Sequence, residues 1–410
     1  MDDLIKKINA LRNVSDSNLN ESVKKVAVIL TSPRSGSSLV KSILRTHSDI
    51  ASLDGEIEPL LTLSRNGFGY NSNSDAIEIL SNKNELASNI LDGLTIPFED
   101  LPPSEILKKR WEKRLLLQFP AVFSGTEGHA ELIELLDSVF TKIKASDIKE
   151  EKELQKLILR KIFRNSPWRM SYYDGYTVSD TKLFFDELKI EEPPFVVPRL
   201  YARSFTADDV ENKTLLFKTP PDAYRIGMYE QIFPNAEIKY IHLTRGYAQS
   251  VNGLMDGWLS PVGFFSHNLK GAGISLNIKG YSDLVEFGKH WWKFDLPPNW
   301  QEFTTARLED VCLNQWLSAH EAILESKVSK LQISFEQVLS EPKETIKQIT
   351  TYLGLRELGS ISLPVVMAIE TPKARRWLKR EKQMLKIGEQ KEVREMMALL
   401  AYKMDSETWL

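Results

Sequence analysis

The sequence predicts an α/β fold: a mostly parallel central sheet flanked by helices, with a helical, aromatic-rich cap inserted after the first strands. Three observations predict it. Short apolar runs recur at residues 26–31, 214–218, 237–244 and 331–335, each followed by loop or helix signals, as expected of buried parallel strands joined by helical crossovers. The first run ends in a tight polar loop, SPRSGSS, after which the apolar spacing turns helical. Between about 60 and 210 the pattern changes to helical segments and aromatic loops, which reads as a cap set between core strands.

Taken in chain order, residues 1–22 read as an amphipathic helix with Leu4, Ile5, Ile8 and Leu11 on one face. Such a face packs on its own domain or docks a carrier or second subunit. Residues 23–400 form the main domain, with the cap at about 70–210. The cap holds helices predicted at 130–143 and 149–163 and the aromatic stretches SPWRMSYYDGYTVSD and EEPPFVVPRLYARSF. Proline pairs at Pro102–Pro103, Pro193–Pro194, Pro220–Pro221 and Pro297–Pro298 punctuate loops.

Composition narrows the function. A net charge of −3 argues against nucleic acid or an anionic membrane as a partner, so any basic site is local. The single Cys312 rules out an internal disulfide framework and a Cys-based zinc site. The start MDDLIKKINA lacks a secretory pattern, and no uncharged run approaches the ~18 residues of a spanning helix, so a cytoplasmic protein is expected.

The loop after the first strand has the chemistry of an anion site. Backbone N–H groups converge at the start of the following helix, whose dipole adds partial positive charge. Gly36 permits close backbone approach, Ser35, Ser37 and Ser38 add hydroxyl donors, and Arg34 adds a fixed charge. An ATP loop needs GxxxxGK[ST], where Lys reaches the outer phosphates and Ser/Thr holds magnesium. Here Gly36 is followed by Ser-Ser-Leu, which disfavours a metal-dependent NTPase.

TSPRSGSSLVKSIL resembles the 5′-phosphosulfate loop of the P-loop sulfotransferases that use 3′-phosphoadenosine 5′-phosphosulfate (PAPS). FPNAEIKYIHLTRGYAQSVNGL resembles that family's second signature, LFKTPPDAYRIGMYEQIFPNA the segment before it, and residues 316–355 its later helix–strand–helix. The resemblance covers roughly 24–70 and 212–356. It implies a PAPS-dependent sulfotransferase that releases 3′-phosphoadenosine 5′-phosphate (PAP) and requires no metal. It implies 5′-phosphate and sulfonate contacts from Arg34, Ser35, Gly36, Ser37 and Ser38, and a 3′-phosphate contact from Arg245. The family carries Arg-x-Pro and a Ser about eight residues after the Arg. Here the run is Arg245-Gly246-Tyr247 and the eighth position is Gly253, so Ser250 is the candidate partner. The basic run TPKARRWLKREK resembles a C-terminal loop that closes over the nucleotide, making Lys373, Arg375 and Arg376 candidates, with Trp377 placed to cover a base.

The acceptor hydroxyl needs a base. The tyrosyl-protein branch of the family uses a Glu shortly after the loop's helix. THSDIASLDGEIEPLL makes Glu56 the first candidate, with Glu58 and His129 behind it and His267 as another free histidine. His47, His242 and His320 read as structural. NGLMDGW and WWKFDLPPNW resemble sulfotransferase domains of bacterial polyketide pathways, which act in secondary metabolism on carrier-bound hydroxyacyl chains. The expected acceptor is therefore a small molecule, a lipid or an acyl chain on an acyl carrier protein. DGWLSPVGFFSHNLKGAG, with the cap, either lines that acceptor's pocket or packs as core. Two rivals remain: an ATP-dependent phosphotransferase, and a non-catalytic PAP/PAPS-binding protein.

Overall fold

The computed structural model describes residues 1–13, 18–143, 150–173, 176, 186–192, 194–364 and 374–409. Nine strands occur among them: β1 Lys25–Thr31, β2 Ile50–Leu53, β3 Leu94–Pro97, β4 Ala202–Ser204, β5 Thr214–Phe217, β6 Glu237–Thr244, β7 Phe265–Asn268, β8 Trp291–Lys293 and β9 Lys330–Ser334. Seven form the central sheet in the order β4-β3-β2-β5-β1-β6-β9. Strands β2, β5, β1, β6 and β9 run parallel, whereas β3 and β4 are antiparallel additions at one edge. The four apolar runs are β5, β1, β6 and β9, side by side from the sheet's centre to one edge. β1 is continuously apolar because both of its faces are covered: it is buried from Val26 to Thr31.

Residues 70–210 do more than cap the sheet. They supply β3 and β4, which extend it past β2. They also supply the helices Lys83–Gly93, Ser104–Gln118, Thr126–Ile143 and Glu151–Ile162. The N-terminal helix is Asp2–Ala10, shorter than the span 1–22, and a 3₁₀ turn follows at Asn18–Ser22. Leu4, Ile5 and Ile8 are buried, and Lys7 Nζ donates to Ser124 O at 3.0 Å, so this face packs on its own domain.

A second core lies beyond β6. Trp258, Trp292, Trp300, Trp316 and Trp377 are all buried there, largely edge to face with one another or with Tyr281 and Trp409. Most of the aromatic wealth of 258–300 is therefore packing; Phe264 is the exception described below. Trp377 is likewise core: it packs against Trp409 at 1% exposure, which corrects its expected place over a base. Among the described residues, no helix is long and apolar enough to cross a membrane.

Candidate functional site

Because β2, β5, β1, β6 and β9 are parallel, the segments that follow them leave one edge of the sheet. These are Asp54–Gly55–Glu56, Lys218–Thr219, Ser32–Gly36, Arg245–Gly246 and Phe335–Glu336. Open α/β sheets bind ligands outside these carboxyl ends. Thr31 Oγ1 donates to Leu243 O at 2.9 Å, and Ile57 N donates to Thr219 Oγ1 at 3.2 Å, so neighbouring segments are tied together.

The loop after β1 turns through two left-handed residues, Arg34 (φ 65°) and Gly36 (φ 85°). Helix Ser37–Leu44 follows at once. Ser32 and Ser35 are fully buried and their hydroxyls share a hydrogen bond at 2.7 Å. The Ser35 side chain is thus turned inward rather than offered to a ligand. Ser37 is nearly buried and Ser38 partly exposed. Arg34 is half-buried, with Cζ 5.2 Å above the Phe264 ring.

Arg245 reaches this loop from the end of β6. Its Nη1 donates to Arg34 O at 2.9 Å, and its Cζ lies 4.9 Å above the Phe335 ring. Its Nε is buried with no hydrogen-bond partner. Ser250, in the first turn of helix Tyr247–Leu259, is fully buried and its Oγ also lacks a partner. Two orphaned donors within one turn of a helix start are costly unless an acceptor joins them. Burial lowers the Arg245 pKa, Glu336 and Tyr402 oppose that shift, and Arg376 adds to it as a nearby like charge.

The C-terminal basic segment lies over the same helix. Arg376 and Lys379 reach Asp256 at 2.8 and 2.7 Å, and Arg380 bonds both Asp256 at 2.7 Å and Asn252 at 2.5 Å. Arg375 is exposed, with its guanidinium 5.7 Å from the Trp377 ring. Lys373 lies outside the described residues. Gly253, the eighth residue after Arg245, has the Arg34 Cβ 3.5 Å from the position a side chain would take.

The base candidates separate. Glu56 is ion-paired with Lys218 at the end of β5, a third exposed. Glu58 begins helix Glu58–Leu63 and is ion-paired with Arg225, which also holds Asp222 at 3.0 Å. Burial raises the Glu58 pKa, Arg225 opposes this, and Asp75 reinforces it. His129 is a correction: its Nε2 shares a 2.7 Å hydrogen bond with Glu112, between helices Thr126–Ile143 and Ser104–Gln118 of the cap, and the described contacts do not bring it to the loop. His47 is structural, accepting from Asp49 N and bonding Arg356 O. His242 and His320 are buried against each other at 2.9 Å.

Two participants were not legible as such, and a third, His267, was a candidate whose partner was not. Lys218 closes a central strand beside β1. Lys41, buried beneath Gly55, donates to its carbonyl; burial and then Lys218 lower its pKa to about 7. His267 on β7 sits 3.3 Å from Asp75 and edge-on to Phe68. Burial alone would lower its pKa, but Asp75 and Glu58 prevail and raise it. The signal available for Lys218 was its place at the carboxyl end of a predicted parallel strand.

The fold and the site define an α/β protein with a strand–loop–helix turn and a partly buried arginine fastened to that loop. No protein-family model matches the chain, and no curated protein matches it significantly. Among solved structures it is similar to the sulfotransferase domain from the curacin biosynthetic pathway, at 15% identity and a TM-score of 0.36, covering 93% of this chain and 99% of that one. It is similar to the sulfotransferase domain from the Synechococcus PCC 7002 olefin synthase at 14% and 0.34, covering 93% and 96%. Sulfotransferase STF1 from Mycobacterium tuberculosis H37Rv stands at 8% and 0.28, covering 95% and 72%.

Proposed function

We propose that the chain is a sulfotransferase that moves the sulfonate group of PAPS to an acceptor hydroxyl, releasing PAP. One observation carries this reading. The guanidinium of Arg245 is fastened to the anion loop through Arg34 O, while its buried Nε and the Ser250 hydroxyl wait without partners. Two oxyanion positions at a fixed separation suit a nucleotide with phosphates at both ends of its ribose. A nucleoside triphosphate, with its phosphates in one row, leaves the second position unused.

In this reading the loop N–H groups and Arg34 hold the 5′-phosphosulfate, with the Ser37 and Ser38 hydroxyls beside them. Arg245 and Ser250 hold the 3′-phosphate, and Arg376 adds charge from the C-terminal segment. PAPS supplies an activated sulfonate. The chain positions it for in-line displacement and neutralises the charge on its equatorial and leaving oxygens, as in phosphoryl transfer. Arginine stays protonated, so Arg34 acts electrostatically. Lys218, between the loop and Glu56, is placed to hold the Glu56 carboxylate toward the acceptor hydroxyl, whose proton it takes. The acceptor is a small molecule, lipid or carrier-bound acyl chain.

A second base is favoured by one contact. Phe264 under Arg34 immediately precedes β7, which carries His267 and its Asp75 partner close to the loop. The pH–rate profiles of Glu56→Gln and His267→Asn discriminate: the variant lacking the base loses the acidic limb.

The direct test is calorimetric binding of PAP, AMP and magnesium-ATP to wild type and Arg245→Ala. PAP should bind at least tenfold tighter than AMP, about 1.4 kcal/mol, and Arg245→Ala should remove most of that gap. Equal binding of PAP and AMP, or preference for magnesium-ATP, overturns the reading. Selective PAP binding without turnover on any acceptor supports the non-catalytic alternative.

A further inference from the structure

Helix Ser104–Gln118 carries Lys109, Arg110, Lys113 and Arg114, spaced i, i+1, i+4 and i+5, on one side. Like charges so spaced weaken a helix rather than support it. All four line a recess of about 60 Å³, opposite Leu53–Glu56 at the end of β2, with Ser204 of β4 and Asn13 at its rim. Room for one water takes roughly 10–15 Å³ on this measure, so the recess has space for more than one water-sized group.

The carboxylates at the recess are already engaged. Asp54 accepts from Arg199 Nε at 2.9 Å, Asp92 from Lys113 at 2.7 Å, and Glu56 is held by Lys218. Arg114 is ion-paired with Glu191 behind the wall. Arg110 and Lys109 remain. Arg110 donates only to neutral oxygens, Ala202 O at 2.6 Å and Ser204 Oγ at 2.9 Å. Lys109 donates to Asn13 Oδ1 at 2.8 Å. Among the described residues, neither has an ion-pair partner. Arg110 also feels burial, which lowers its pKa, against the pull of Asp54. The recess is thus walled by cations without ion-pair partners and has the proposed base, Glu56, at its floor beside Gly55.

We propose that this recess binds the phosphate group of the acceptor, so that the acceptor is a hydroxyl compound carrying a phosphate ester. This deepens the sulfotransferase reading and rests on it for the identity of the reaction. Arg110 is the principal contact, with Lys109 and Lys113 beside it. A phosphate seated there holds a hydroxyl a few bonds away next to Glu56, and the acceptor's charge selects it over neutral alcohols.

The test is calorimetry of the full chain with glycerol 3-phosphate, glycerol and inorganic phosphate, on wild type, Arg110→Gln, Arg110→Lys and Lys109→Gln, each checked for an unchanged melting temperature. Glycerol 3-phosphate should bind at least tenfold tighter than glycerol. Arg110→Gln should abolish that preference, Arg110→Lys should keep part of it, and Lys109→Gln should weaken it severalfold. PAP affinity should be the same in all four proteins. Inorganic phosphate should compete with glycerol 3-phosphate but not with PAP. Equal binding of the ester and glycerol, or a preference indifferent to Arg110, overturns the proposal. Inorganic phosphate binding at the recess with no advantage for the ester also overturns it, as a free-anion site only. If Arg110→Gln unfolds, Lys109→Gln carries the same test from an exposed position. A recess that behaves as described beside a chain with no PAP preference would sink the sulfotransferase reading and leave the oxyanion site standing.

Discussion

Replacing Gly36 by alanine tests the geometry that joins the loop after β1 to Arg245. Gly36 has φ 85°, and a β-carbon there would lie 2.6 Å from Cζ of Phe335 and closer still to two other ring atoms. The ring cannot simply swing away, because it is 9% exposed and lies under Arg245. The left-handed backbone costs a non-glycine residue about 1–2 kcal/mol, and forcing extra volume into a packed site costs about 1–3 kcal/mol. Gly36→Ala should therefore destabilise by about 2–5 kcal/mol and displace Phe335 and Arg245 from the loop. Urea unfolding of wild type, Gly36→Ala, Phe335→Ala and the double variant measures both parts. With the ring gone, the substitution at 36 should cost only the backbone share, about 1–2 kcal/mol, so the pair should show a coupling of about 1–3 kcal/mol. A Gly36→Ala chain of wild-type stability, or a cost that is the same with and without the ring, refutes the reasoning.

Two further outcomes follow from the buried charges. Arg225 is fully buried between Glu58 and Asp222, and Tyr229 also donates to Asp222 at 2.8 Å. Arg225→Met should cost about 3–5 kcal/mol by stranding Asp222, and Asp222→Asn in that background should recover part of it; urea midpoints decide. Burial alone would raise the Asp54 pKa, but Arg199, Arg45, Arg114 and Arg110 prevail and hold it at about 2. A depressed carboxylate stabilises the fold above its ordinary pKa near 3.8 and loses that contribution as pH falls through 2. Wild type should therefore lose about 2 kcal/mol between pH 4 and pH 2 that Asp54→Asn does not lose, and parallel stability curves would refute the assignment.

Legibility followed sequence distance. The central strands were readable because strands covered on both faces become unbroken apolar runs. Strands β2, β3, β4, β7 and β8 have only three or four residues each, too few for a period to register. The turn between β1 and helix Ser37–Leu44 was readable because strand, turn and helix start are consecutive. The pairs Lys218–Glu56, Arg225–Glu58 and His267–Asp75 each join residues more than 160 positions apart, and no local pattern announces them. His129 misled because a histidine in a cap helix looks unattached until its neighbour, Glu112, is seen on another helix.

The position of β1 in the sheet also governs the order in which the chain can be completed. It is the first strand to be synthesised, yet its neighbours are β5 and β6, paired through Thr214 and Glu237. At about 5–20 residues per second, a ribosome needs about 10–40 s to travel from the end of β1 to the end of β6. Until β5 is made both edges of this Val- and Ile-rich segment are unpaired, and until β6 follows one still is, so the loop after β1 has no Arg245 to fasten to. The residues that give the finished protein its site are thus the ones most in need of protection while it is being made, and slowing elongation between β1 and β6 should raise the aggregated fraction more than an equal delay after β9.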